Sequence, residues 1–156
     1  MSTCDPPGAT LPGAAEAEDD FGGALAVANL DRDGIDELIV GVGHEAVGTQ
    51  ADAGSYLWLA ANHDGVLGGA SFSQNSPGVA GTAEAGDRFG AAVATGDYNG
   101  DGYPDMAIGA PGEDAASGGV WFDATREEGT QPPTTSVTPA RLGLTGAVEY
   151  GGTLGR

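Results

Sequence analysis

Apolar positions along the chain fall in short runs, each bounded by polar or glycine-rich stretches. Residues 22–28 alternate small and aliphatic side chains, the two-residue period of a strand. The acidic stretch 29–37, with Gly34, reads as a loop. Residues 38–42 are continuously apolar and of strand length, as expected for a strand buried on both faces. Residues 55–60 predict a third strand, Asn62-His63-Asp64-Gly65 a turn, and residues about 69–73 a fourth strand. The same succession returns as a strand at 90–96, an acidic loop at 97–105, and strands at 106–110 and 119–123. Its fourth strand is expected within 136–145, after the Pro-rich loop Gln131-Pro132-Pro133. No apolar run approaches the roughly 18–20 residues of a membrane-spanning helix.

The succession is a repeat in sequence as well as in pattern. Phe21 to Gly43 aligns without gaps on Phe89 to Pro111 at an offset of 68, with identity at seven of 23 positions. Phe21/Phe89, Gly22/Gly90, Asp33/Asp101, Gly34/Gly102 and Gly41/Gly109 are among the identities. A third copy begins at Tyr150-Gly151-Gly152-Thr153-Leu154-Gly155, 61 residues after Phe89. Such periods suit a unit of about four short strands. The boundaries read as a disordered tail at 1–18, a first unit at 19–86, a second at 87–147 and the start of a third at 148–156. The fold class is all-β, with two four-stranded antiparallel units plus the first strand of a third.

The loops between the first two strands of each unit carry the chemistry. Asn29-x-Asp31-x-Asp33-Gly34-Ile35-x-Glu37 and Asp97-x-Asn99-x-Asp101-Gly102-Tyr103-x-Asp105 place oxygen side chains at positions 1, 3, 5 and 9, with Gly at 6. A tight loop turns alternate side chains inward, and Ca²⁺ takes six to eight oxygens at about 2.3–2.6 Å. The seventh residue, Ile35 or Tyr103, would give a backbone carbonyl, which leaves its side chain free to vary. An acidic surface loop with no ion is the plain alternative, and two copies in register argue against it. An EF-hand loop opens alike but closes with an acid at position 12. Here that position is Val40 or Ile108, both in predicted strands.

Composition narrows the partners. Asp+Glu number 23 against Lys+Arg 5, a formal charge of −18, and every basic residue is Arg. Five scattered Arg make no phosphate-neutralising face, which argues against nucleic acid and against polybasic membrane attachment. With 29 Gly and 9 Pro, about a quarter of the chain is turn-forming, which argues against long helices. The single Cys4 permits no intramolecular disulfide. No signal peptide is visible.

Phe-Gly, an acidic loop and then Gly-Ala-Pro resembles the FG-GAP repeats of integrin alpha chains. The second unit has the full pattern in Phe89-Gly90, Asp97 to Asp105 and Gly109-Ala110-Pro111. The first looks like a diverged copy, with Gly41-Val42-Gly43 in place of Gly-Ala-Pro. The resemblance covers roughly residues 19–154. It implies β-propeller blades, two Ca²⁺ sites and an extracellular or cell-surface, adhesion-like setting. By resemblance Asp97, Asn99, Asp101 and Asp105 hold one ion with the Tyr103 carbonyl. Asn29, Asp31, Asp33 and Glu37 hold the other with the Ile35 carbonyl. The neutral Asn29 and the longer Glu37 depart from the family pattern, so the 97–105 site is expected to be the stronger.

The remaining features add little chemistry. His44 and His63 read as surface or turn residues. Trp58 and Trp121 read as matching core residues of the two units. Glu16 to Asp20, Glu113-Asp114 and Glu127-Glu128 read as solvated acidic faces. No nucleophile elbow, phosphate-cradling loop or Ser/His/Asp ordering is present, and nothing selects a glycosidase-like carboxylate pair. The leading function is therefore a non-enzymatic, calcium-binding structural and interaction module. The alternatives are an accessory domain of a secreted hydrolase, or a lectin-like sugar binder using Trp58 and Trp121. Propellers close with about four to eight blades, so the expected partners are further blades of a longer chain or other copies of this one. A protein or glycan ligand remains open.

Overall fold

The computed structural model describes residues 16–63, 65–124 and 134–154. Expectations placed on residues 1–15 with Cys4, on Asp64, on Glu127-Glu128, on Gln131-Pro132-Pro133 and on Gly155 lie outside the described residues. Two four-stranded antiparallel sheets form in chain order. The first contains β1 (Phe21–Ala28), β2 (Glu37–Val42), β3 (Ser55–Asn62) and β4 (Gly65–Phe72). The second contains β5 (Ala92–Gly96), β6 (Asp105–Ala110), β7 (Gly119–Asp123) and β8 (Thr135–Val137).

Each sheet is built around the apolar run that marked its second strand. All residues of β6 are buried, and all but Leu38 of β2. On one face of the first sheet Ile39 and Tyr56 meet Phe89, Met106, Ile108, Ala110 and Trp121, with Trp58 and Phe72 packed at the margin. On the other face Val40, Val42, Leu57 and Leu59 form a second cluster. Tyr56 stacks on Phe72, and Phe89 meets Trp121 edge to face at 5.4 Å between centroids, a favoured aromatic geometry.

Two expectations are corrected. The fourth strand of the first unit starts at Gly65 rather than near residue 69, because the hairpin closes tightly with Asn62 opposite Gly65. The fourth strand of the second unit is only Thr135–Val137. Pro139 then opens a 3-10 turn through Leu142, since proline has no N–H to continue a ladder. The expected start of the third unit is described only through Leu154. Tyr150 makes one bridge to Gly118, and residues 151–154 turn and bend.

The Phe-Gly pairs explain why the units stack. The Phe89 N–H donates to the Ala53 carbonyl at 2.9 Å, and the Tyr150 N–H donates to the Ser117 carbonyl at 3.2 Å. Gly54 and Gly118, at equivalent places, each lie directly against the incoming Phe89 or Tyr150 backbone, where a Cβ would collide. Both have a positive φ, +83° and +82°. Each unit thus carries, just before its third strand, a glycine socket that receives the aromatic-Gly pair of the next. Phe89 is 1% exposed in its socket, whereas Phe21 is 60% exposed.

Candidate metal centre

The acidic loops connect β1 to β2 and β5 to β6, so the flanks are strands rather than the helices of an EF-hand. Positions 12, Val40 and Ile108, are buried in those strands. Position 9 closes each loop in the same way. Glu37 Oε2 accepts the N–H groups of Leu30 and Asp31 at 2.8 and 3.3 Å. Asp105 Oδ2 accepts those of Tyr98 and Asn99 at 2.9 and 3.2 Å. Both acids are almost fully buried, at 1% and 2% exposure. The fifth-position acids also match, with Asp33 accepting from the Ile35 N–H and Asp101 from the Tyr103 N–H.

The first position divides the loops. Asp97 turns both oxygens to the backbone, accepting from Gly100 and Asp101 on Oδ1 and from Gly102 on Oδ2. In the first loop the Oδ1 of Asn29 is buried with no hydrogen-bond partner. There Asp31, Asp33 and Glu37 bring one oxygen each within 4.8 Å of one another. Among the described residues this is the group of three potential metal ligands that gathers so closely. Asp97, Asp101 and Asp105 do not gather so closely.

The donor set in the first loop fits a hard cation. It is all oxygen, its three carboxylates converge, and the loop's first residue, Asn29, holds a buried oxygen that no donor satisfies. Burial pushes the Glu37 carboxyl above its ordinary range, two backbone N–H groups pull it back, and Asp31 and Asp33 add like-charge repulsion. A bound cation would relieve both the burial and the repulsion. Ile35 and Tyr103, expected as carbonyl donors, are half-buried and follow the loop glycines as required.

Other acids differ from the sequence reading. Within Glu16 to Asp20, Asp19 is buried and accepts the Glu16 N–H at 2.7 Å. Asp87, at the matching place, is buried and accepts the Glu84 N–H at 2.7 Å. The repeat therefore reaches two residues upstream of each Phe-Gly, and the Asp two places before it was the available signal. Asp114 is exposed as expected, but Glu113 is half-buried against Gln74, 2.7 Å from its Nε2. Burial moves its carboxyl up to about 7. The two tryptophans are not equivalents. Val42 pairs with Ser55 and Ala110 with Gly119, which places Trp121 opposite Leu57 in the alignment and Trp58 opposite Phe122. Neighbouring strand residues face opposite sides. Trp121 is 1% exposed, its Nε1 donating to the Ala80 carbonyl at 2.8 Å, and Trp58 is half-buried. His44 sits at the surface with Nδ1 3.0 Å from Asp52 Oδ1, and His63 is exposed in the β3–β4 turn.

The strands and loops define a chain of repeated four-strand units with an acidic loop after each first strand. Residues 89–122 match the family model of the FG-GAP repeat. A comparison with curated proteins gives no match. FG-GAP repeats are generally non-catalytic structural modules, and the FG-GAP family is typically extracellular. No helix among the described residues is long and apolar enough to cross a membrane.

Proposed function

We propose that this chain is a calcium-binding, propeller-type FG-GAP module with a structural and interaction role in an extracellular or cell-surface protein. The observation that carries the calcium reading is the convergence of Asp31, Asp33 and Glu37, in a loop whose first residue, Asn29, keeps a buried Oδ1 without a hydrogen-bond partner. Asn29 and the Ile35 carbonyl complete the first donor set. Asp97, Asn99, Asp101, Asp105 and the Tyr103 carbonyl form the second. The ion would offset carboxylate repulsion and fix β1 against β2 and β5 against β6. The partners of this reading are further blades, from a longer chain or from other copies, because Phe21 carries the docking motif yet stays exposed.

The test is thermal unfolding of metal-free protein with and without calcium. A ligand at one hundred times its Kd stabilises by about 2.7 kcal/mol, which shifts the melting temperature by several degrees. An unchanged melting curve at millimolar calcium would sink the calcium reading. Light scattering on a sizing column tests the partner reading, which a stable monomer contradicts.

A further inference from the structure

The two acidic loops touch through one side chain. Arg32, at position 4 of the first loop, lays its guanidinium over the ring of Tyr103 at position 7 of the second, with Cζ 2.9 Å from the ring centroid. Its Nη2 also lies 3.5 Å from the Gly102 carbonyl. Asp31 and Asp33 flank Arg32 in sequence, yet among the described residues Arg32 forms no ion pair with a carboxylate. Arg32 therefore does not neutralise the acids of its own loop, and its guanidinium sits on the other loop.

The backbone of Arg32 is the second observation. Its φ is +65°, the left-handed region that L side chains rarely adopt. The equivalent residue of the second loop is Gly100, at φ +78°. Both loops are left-handed at this position, and a bulky residue stands where the sister loop uses glycine, at a cost in backbone strain that a glycine would avoid.

The third is what lies beyond the ring. The Tyr103 N–H donates to Asp101 Oδ1 at 2.9 Å, and the Tyr103 carbonyl is a donor of the proposed second site. A continuous path therefore runs from Asp31 and Asp33 through the Arg32 backbone and guanidinium to the Tyr103 ring, its peptide and Asp101.

We infer that Arg32 is a positioning residue that couples the two calcium loops. An ion held by Asp31 and Asp33 fixes the backbone on both sides of Arg32, seats its guanidinium on Tyr103, and pre-orders the carbonyl and carboxylate of the second loop. Filling the first site strengthens the second, and by linkage the reverse holds. This rests on the calcium reading above.

The experiment is a calcium titration of the full chain by calorimetry in four forms: wild type, Asp33→Asn, Arg32→Gly and the double variant. Arg32→Gly copies the sister loop, so the backbone keeps its conformation without the side chain. In the wild-type background Asp33→Asn should remove the first site and weaken the second by roughly two- to five-fold, the size of one exposed cation–π contact. With Arg32→Gly the second site should already be weaker by that factor, and Asp33→Asn should change it no further. Tyr103→Phe, which keeps the ring, should retain the coupling, and Tyr103→Leu should abolish it. A second site whose response to Asp33→Asn is nil, or is the same with and without Arg32, overturns the coupling and leaves the calcium reading standing. A wild-type chain that binds no calcium overturns the calcium reading itself, and the coupling with it.

Discussion

The Tyr56 hydroxyl donates to Asp123 Oδ2 at 3.3 Å across the buried boundary between the two sheets. Tyr56 comes from β3 and Asp123 from the end of β7, and each is 1% exposed. The other oxygen of Asp123 has no partner among the described residues. Burial raises its carboxyl to about 6, against a lowering from the Tyr56 hydrogen bond and a further rise from the charge of Asp105. A raised pKa means that the folded state prefers the protonated acid. The associated stability is complete below the ordinary value of 3.8 and is lost as pH climbs through about 6. Metal-free protein should therefore melt at a higher temperature at pH 5 than at pH 8. Asp123→Asn should reduce that slope, leaving the part that Glu113 contributes, and stabilise the protein at pH 8 by up to about 3 kcal/mol, since each pKa unit is worth about 1.4. A wild-type melting temperature that rises from pH 5 to pH 8 would contradict this account.

The socket glycines give a graded prediction. Gly54 combines a positive φ with the Phe89 backbone lying where a Cβ would go. Gly34 has a similar φ, +94°, but open space around it. Gly34→Ala should cost only the conformational strain, about 1–2 kcal/mol. Gly54→Ala should cost that plus a forced shift of the second unit, about 3 kcal/mol or more in total. Urea unfolding of the two variants measures the difference, and equal losses would show that the socket is not tight.

What the sequence made legible was local. β2 and β6 were readable because strands buried on both faces need uninterrupted apolar residues, and the acidic loops because their ligand spacing repeats. The face of a strand was not readable from residue identity. Matching Trp58 to Trp121 moved the register by one position, and one position reverses the side to which every residue points. The burial of Asp19, Asp87 and Asp123 escaped for a related reason. Asp19 and Asp87 lie among residues that read as turn or surface, Asp123 ends a predicted strand where a polar residue reads as exposed, and only the packing of segments far apart encloses each. The Gly54 socket is likewise a contact between residues 35 positions apart, and no local pattern separates it from the chain's other turn glycines. The contact of Arg32 with Tyr103 joins two loops that the repeat had presented as independent copies.

Phe21 and Phe89 are the same residue of the repeat in different surroundings, and substitution should separate them. Phe89 fills a socket with Tyr56 and Trp121 as neighbours. Phe89→Ala should cost about 3–5 kcal/mol, the range for a buried aromatic. Phe21→Ala, at a residue 60% exposed, should change unfolding stability by no more than about 0.5 kcal/mol. If other copies supply the missing blade, Phe21→Ala should also weaken self-association without altering the melting of the isolated chain. A large loss of stability on changing Phe21 would mean that its side chain is covered within the chain itself.

Glu37 offers a test in which two readouts move in opposite directions. Its Oε2 takes two backbone N–H groups, and glutamine retains an oxygen at that place. Glu37→Gln should therefore keep the loop closed while removing a charge that burial and the neighbouring Asp31 and Asp33 both disfavour. Without calcium the variant should melt at a higher temperature than wild type. Calcium affinity at the first loop should fall about ten-fold or more, because ligand charge sets the affinity of such sites. Wild-type affinity at that loop should also decline on acidification earlier than for an ordinary carboxylate site, since Glu37 takes up its proton at a higher pH than usual. A solely structural Glu37 would give a different result, with the variant's metal-free stability lowered and its calcium titration unchanged. Thermal melting and calorimetry on the same two proteins distinguish these outcomes.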